Sequence, residues 1–260
     1  MKSAAIWLLG LLASCAGIDV AFAQYGLSLT SEYSTYLRFE SVNVHVTLRN
    51  DGDHMLLLGG LRQSVLLQFE VLKNGRDVPR TSKGLMVENM LIMPGQAKDI
   101  KVDLRPHFDF QSPGQYQLAA IIVVGDLKYT SAKSVIDVVP GLEIKGIDRP
   151  VPGNSSRIRT YSLRYWDRKN TERLFLCVSD KVEGMSYGVF DLGPLVRVNP
   201  PALTVDVSGN VLVRHQSGNG IFSYTTFRSS LNGVEFVRQE IKKVNDIRQS
   251  SRESRTQPEK

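Results

Sequence analysis

Between Ser41 and Asn50 the chain reads "SVNVHVTLRN", with an apolar side chain at every second residue. Val42, Val44, Val46 and Leu48 share one side of an extended backbone, and Asn43, His45, Thr47 and Arg49 share the other. That period fits a strand with one face on a core. The pattern returns in "LLQFEVLKNGRDV", where Leu67, Phe69 and Val71 share a face and Asn74-Gly75 is a two-residue hairpin signal. After the "MPGQ" turn, Ile100, Val102 and Leu104 alternate with Lys101 and Asp103; "SPGQYQLAAIIVV" and "SAKSVIDVV" follow. Short strands separated by Gly, Pro and Asn turns predict an all-β chain, with residues 24–139 forming a sandwich.

The pieces "VTLRNDGD" and "FDFQSPGQYQL" resemble a bacterial immunoglobulin-like domain, and Tyr116 stands after a Pro-Gly turn like a tyrosine-corner residue. The paired cysteines and core tryptophan of antibody domains are missing from this stretch. The resemblance implies a spacer or binding platform and assigns no activity.

"VPGLEIKGIDRPVPGNSS" is rich in Pro and Gly and weak in periodicity, so residues 140–156 read as a linker. A second β domain, residues 157–240, reads as about eight strands. In it "LFLCVSD" and "SYGVF" are followed 37 residues later by "VLVRHQS" and "SYTTF". Together with "VDVSGNVLV", this spacing resembles secreted β-propeller blades. Two blades cannot close a ring, which implies a sandwich, a barrel or a partial propeller completed by a second copy. In residues 241–260, Ile241, Val244 and Ile247 have helical spacing before a wholly polar end, so a short helix or a disordered tail is expected.

The first residues, "MKSAAIWLLGLLASCAGIDVAFAQ", hold one Lys, an apolar run and an Ala21-Phe22-Ala23 ending, as a secretory signal cleaved after Ala23 would. Leu12-Ala13-Ser14-Cys15 also resembles a bacterial lipobox, which would make Cys15 a lipidation site and supply the only membrane attachment. Both readings place the protein outside the cytoplasm, in the periplasm, at the cell surface or secreted. After cleavage only Cys177 remains, so no internal disulfide is expected and the core must hold the fold. In "RLFLCVSD" Cys177 reads as a small core residue.

The net charge of +6 is dilute. Residues 24–139 carry 12 basic and 12 acidic side chains, residues 140–240 carry 13 and 10, and residues 241–260 carry 6 and 3. Half of the excess sits in a short tail, which argues against a nucleic-acid partner, since that would need clustered cations on a folded face. No two of the four histidines have ligand spacing, and His54 beside Asp51 and Asp53 reads as a polar turn. No nucleophile elbow, phosphate loop or dinucleotide fingerprint occurs, so no catalytic residue, metal or cofactor is assigned.

Aromatic and arginine residues concentrate in the second domain, and Trp166, Tyr187, Arg214 and Tyr224 are the candidate ligand-binding residues. Exposed rings stack on sugars, and guanidinium groups hold carboxylates or sulfates. The hairpin "LTVDVSGNVLVRHQ" (Leu203 to Gln216) is expected to turn through Ser208-Gly209-Asn210, opposing Val205 to Val213 and Leu203 to His215. Asp206 and Arg214 would then be diagonal neighbours able to pair, with His215 at the rim of the apolar face. The leading functional expectation is an exported, non-enzymatic binding or scaffold protein of the envelope or matrix, with a glycan or envelope protein as partner. The alternatives are a glycan-active hydrolase with a reduced propeller-like domain, and a self-assembling homo-oligomeric subunit.

Overall fold

The computed structural model describes residues 24–59, 64–81, 87–182 and 185–244. The signal segment, Cys15 and the tail beyond Val244 lie outside the described residues. Among the described residues the chain is all-β, arranged as two sandwiches.

In the first sandwich, β1 (Tyr25–Ser31), β3 (Asn43–Asn50) and β8 (Ala97–Asp103) form an antiparallel sheet with β3 in the centre. The facing sheet runs β2 (Thr35–Leu37), β11 (Ser134–Val139), β9 (Gly114–Val124), β5 (Val65–Lys73), β4 (Leu56–Leu58) and β7 (Met90–Ile92). Short strands β6 (Arg76–Asp77) and β10 (Leu127–Thr130) pair with β5 and β9. Val42, Val44, Val46 and Leu48 are all buried, against Phe69, Leu118, Ile122 and Ile136. Asn74 and Gly75 both take positive φ, at 51° and 75°, the conformation a two-residue hairpin requires. Tyr116 is buried, and its hydroxyl donates to the Ser112 carbonyl at 2.7 Å, four residues upstream.

The second sandwich consists of two four-stranded antiparallel meanders. One is β12 (Leu142–Val151), β13 (Asn154–Arg168), β14 (Thr171–Asp180) and β15 (Ser186–Pro194). The other is β16 (Ala202–Val205), β17 (Asn210–Gly218), β18 (Ile221–Ser230) and β19 (Gly233–Lys243). They share one core that includes Tyr161, Leu163, Leu176, Val213 and Phe227.

Three sequence expectations differ from this architecture. The segment read as a linker is the edge strand β12, turning through Pro152-Gly153 into β13. An edge strand exposed on both faces needs no apolar period, it tolerates Pro150, and a bulge beside Ile144 breaks what alternation remains. The 37-residue repeat aligns β14 with β17 and β15 with β18, the third and fourth strands of one meander with the second and third of the other. Ile241, expected in a short helix or a disordered tail, belongs to β19.

The sandwiches meet at Arg168, at the end of β13. Its Nη2 donates to Glu40 Oε2 at 2.7 Å, with the two side chains 6% and 12% exposed. The guanidinium lies 4.0 Å from the Tyr33 ring centre and 5.1 Å from that of Phe175, and Asp191 approaches to 3.7 Å. Nearby, Arg164 Nη1 donates to the Pro140 carbonyl at 2.8 Å. Removing one member of a buried pair strands the other charge. Glu40→Ala should therefore lower stability by about 3–5 kcal/mol, measured by urea unfolding.

Candidate functional site

The hairpin between β16 and β17 is organised by Asp206. Its Oδ1 accepts from the Ser208 and Asn210 amides at 2.9 and 2.8 Å, and its Oδ2 accepts from Asn210 Nδ2 at 2.8 Å. The hydrogen bonds from Asn210 hold this carboxyl below the usual aspartate range. Gly209 takes the positive φ, at 83°, and a side chain there would collide with the Ser229 carbonyl. The longer loop moves the register two residues from the expected one: Val205 opposes Val211, and Leu203 opposes Val213. A shift of two preserves the faces, so Leu203, Val211 and Val213 still enter the core. The expected pairing of Asp206 with Arg214 is replaced by the loop bonds, because an aspartate at this position satisfies three local donors.

On the outer face of the second meander, Arg214 lies opposite Tyr224, and Tyr224 opposite Glu240. Arg214 is exposed and Tyr224 half-buried. Glu240 pairs with Arg238 at 3.1 Å and Lys242 at 3.2 Å, and the bond from Lys242 keeps its carboxyl below the ordinary glutamate range. The Lys242 ammonium also lies 5.4 Å from the Tyr224 ring centre. This strip presents an exposed guanidinium on the strand next to a tyrosine, a combination suited to anionic sugars or acidic side chains.

The other two candidates sit elsewhere. The Tyr187 ring lies 3.9 Å from the guanidinium carbon of Arg159 and 5.5 Å from that of Arg157. Arg159 is fully buried, and its Nη1 donates to Ser229 Oγ (2.7 Å), the Ser230 carbonyl (2.7 Å) and the Gly233 carbonyl (3.1 Å). Tyr187 therefore covers a structural arginine that ties the β18–β19 turn to the opposite sheet. Trp166 is half-buried on β13, opposite Arg173 and two residues from Arg168, near the junction of the sandwiches. Of the remaining second-domain rings, Tyr161 and Phe227 are core residues.

Cys177 is half-buried at the junction, and burial pushes its thiol up to about 12 against the opposing charge of Arg164. A thiol so raised is almost wholly protonated at neutral pH and is a poor nucleophile. His54 Nδ1 meets Asp53 at 2.5 Å on the surface, while Asp51 bonds Arg49. Among the described residues no group of three potential ligands could hold a metal ion.

His215 is buried rather than at a rim. Its Nε2 lies 3.1 Å from the Pro194 carbonyl, so Nε2 carries the proton and donates; Nδ1 is left buried without a partner. On the neighbouring edge strand, the Gln239 amide shares its two N–H groups among the Leu192 carbonyl, Ser223 Oγ and Thr225 Oγ1. Sequence reading missed Arg159, Arg168 and this cluster, since polar residues on a β-strand carry no mark of burial.

No protein-family model matches the chain, and no curated protein matches it at a significant level.

Burial lowers the affinity of His215 for a proton, opposed in part by the Pro194 carbonyl and by Asp191. The unfolded state then binds more protons below its own value of about 6.5, so stability is full above that pH and falls as pH drops through it. Thermal melts taken below about pH 6.5 should show this loss, and His215→Gln, which keeps a donor for Pro194, should flatten the slope.

Proposed function

We propose that the chain is an exported, non-enzymatic binding or scaffold module of the cell envelope or extracellular matrix, with the second sandwich carrying recognition. One observation carries this reading: Arg214 stands beside Tyr224 on an exposed sheet face with no hydrogen bond or ion pair among the described residues. Other arginines of the second sandwich have structural partners, though Arg228 on β18 is exposed like Arg214: Arg159 binds backbone carbonyls, Arg164 Pro140 and Glu143, Arg168 Glu40, Arg173 Asp191, and Arg197 Glu172. A free guanidinium next to a ring on a rigid sheet suits a glycan carrying carboxylate or sulfate, or an acidic segment of an envelope protein.

The export reading rests on the first 23 residues, and the first sandwich would serve as a spacer, as its resemblance to immunoglobulin-like domains implies. On an array of acidic and neutral glycans, wild-type protein should retain acidic ligands. Arg214→Ala should weaken that binding by about tenfold or more without moving the melting temperature. Turnover on a glycoside substrate panel would replace this reading with the hydrolase alternative.

Self-assembly is a second reading, supported by β19. This eleven-residue edge strand exposes Phe236, Val237 and Ile241 and leaves one backbone edge without a partner strand among the described residues. Sedimentation should then show a mass that rises with concentration, and a strict monomer would remove it.

A further inference from the structure

We propose that the cleft between the two sandwiches is a binding site for an acidic sugar residue, with Arg38 holding the carboxylate and Phe39 stacking on the ring. This rests on the reading of the chain as a binding module and adds a second, more enclosed site to the exposed strip at Arg214.

The cleft has a volume of about 210 Å³, on the scale of one sugar ring, and it is open to solvent. One wall is the turn after β2, with Arg38 and Phe39, together with Pro140. The other is the outer face of the first meander of the second sandwich, where Ser162, Ser179 and Ser186 supply hydroxyls around Cys177.

Two features of the first wall point to a ligand. Arg38 is exposed, has no carboxylate partner among the described residues, and rests only on the Phe39 ring, 4.5 Å from its centre. Its charge is available, unlike that of Arg164 across the cleft, which binds Pro140, Glu143 and Ser162. Phe39 itself adopts φ +69°, a left-handed conformation that a bulky aromatic residue rarely takes. The surroundings enforce it: the Leu37 amide donates to Glu40 Oε2 at 2.8 Å, the Glu40 amide to the Leu37 carbonyl at 3.0 Å, and the Arg38 amide to the Val139 carbonyl at 2.8 Å. Arg168 holds the same Glu40 oxygen. The contact that joins the sandwiches thus also fixes the strained turn that aims a ring and a cation at the cleft. Strain of this kind collects at ligand clamps, where a glycine would relieve it but could not stack.

The ligand class follows from the lining. A guanidinium selects an anion, the aromatic face a ring, and the serines a hydroxylated ring. A uronate has all three. Acetate has the charge alone, and glucose lacks it.

The test is calorimetric titration of the folded full-length chain with glucuronate, glucose and acetate. Glucuronate should bind saturably, at least tenfold more tightly than either control. Arg38→Ala should weaken it at least tenfold, while Arg76→Ala, on an exposed hairpin of the first sandwich, leaves it unchanged. Phe39→Gly should abolish binding with the melting temperature unchanged or raised. The proposal is overturned by absence of saturable glucuronate binding, by glucuronate binding no better than acetate, or by Arg38→Ala and Phe39→Gly binding like wild type. Glucuronate binding lost in Arg214→Ala but kept in Arg38→Ala would overturn the cleft and leave the binding-module reading standing. Hydrolysis of a glucuronide would instead overturn that reading.

Discussion

The buried pair of Arg168 and Glu40 is the constraint on which the arrangement of this protein depends. A guanidinium removed from water between two protein layers is tolerable only if its charge is compensated. Here the charge is met by Glu40, with Asp191 further off, and the flat faces by Tyr33 and Phe175. Arg168 and Phe175 belong to one sandwich, and Glu40 and Tyr33 to the other. The pair therefore requires the two halves to be in register, and small displacements would leave a buried ion without its partner. Two β modules joined by a short connection would otherwise be free to reorient.

Arg159 performs the same task inside the second sandwich. It lies on one sheet and donates to the turn and strand ends of the other, with Tyr187 over its face and Ser229 shared with the Tyr161 hydroxyl. The second core is smaller than the first and is closed along neither seam by strand pairing. A cation hydrogen-bonded to several backbone carbonyls fixes the relative position of the sheets more narrowly than apolar contact, which is non-directional.

The legible part of this fold was the part in which burial imposes a period. Val42 to Leu48 and Leu67 to Val71 alternate because one face is dry, and Asn74-Gly75 turns because both positions need positive φ. Where burial imposed nothing, the sequence was silent: β12 is exposed on both faces and reads as a linker. The hairpin at Asp206 shows an intermediate case. Its faces were readable from the period of two, but its register was not, because the loop length depends on how many donors one carboxylate gathers. Of the candidate site, Arg214 and Tyr224 share a face. Tyr187 and Trp166 lie elsewhere, since aromatic content alone does not distinguish a ring that faces solvent from one that shields a buried cation.

Sorting the arginines by what they touch gives a stronger functional argument than their number. Arg157, Arg159, Arg164, Arg168, Arg173 and Arg197 have protein partners and are part of the frame. Arg38 lies over the Phe39 ring, Arg214 is the cross-strand neighbour of Tyr224, and neither guanidinium has an acceptor among the described residues. A solvated arginine with no neighbours carries little information, because its charge is screened and its side chain moves. An arginine placed against a ring, on a segment held by buried hydrogen bonds, has already lost part of the freedom that binding would remove. Rigidity created by the buried Arg168 thereby reaches Arg38, whose turn shares Glu40 with it, and it is this preorganisation, more than net charge, that sets that site apart on a mildly basic surface.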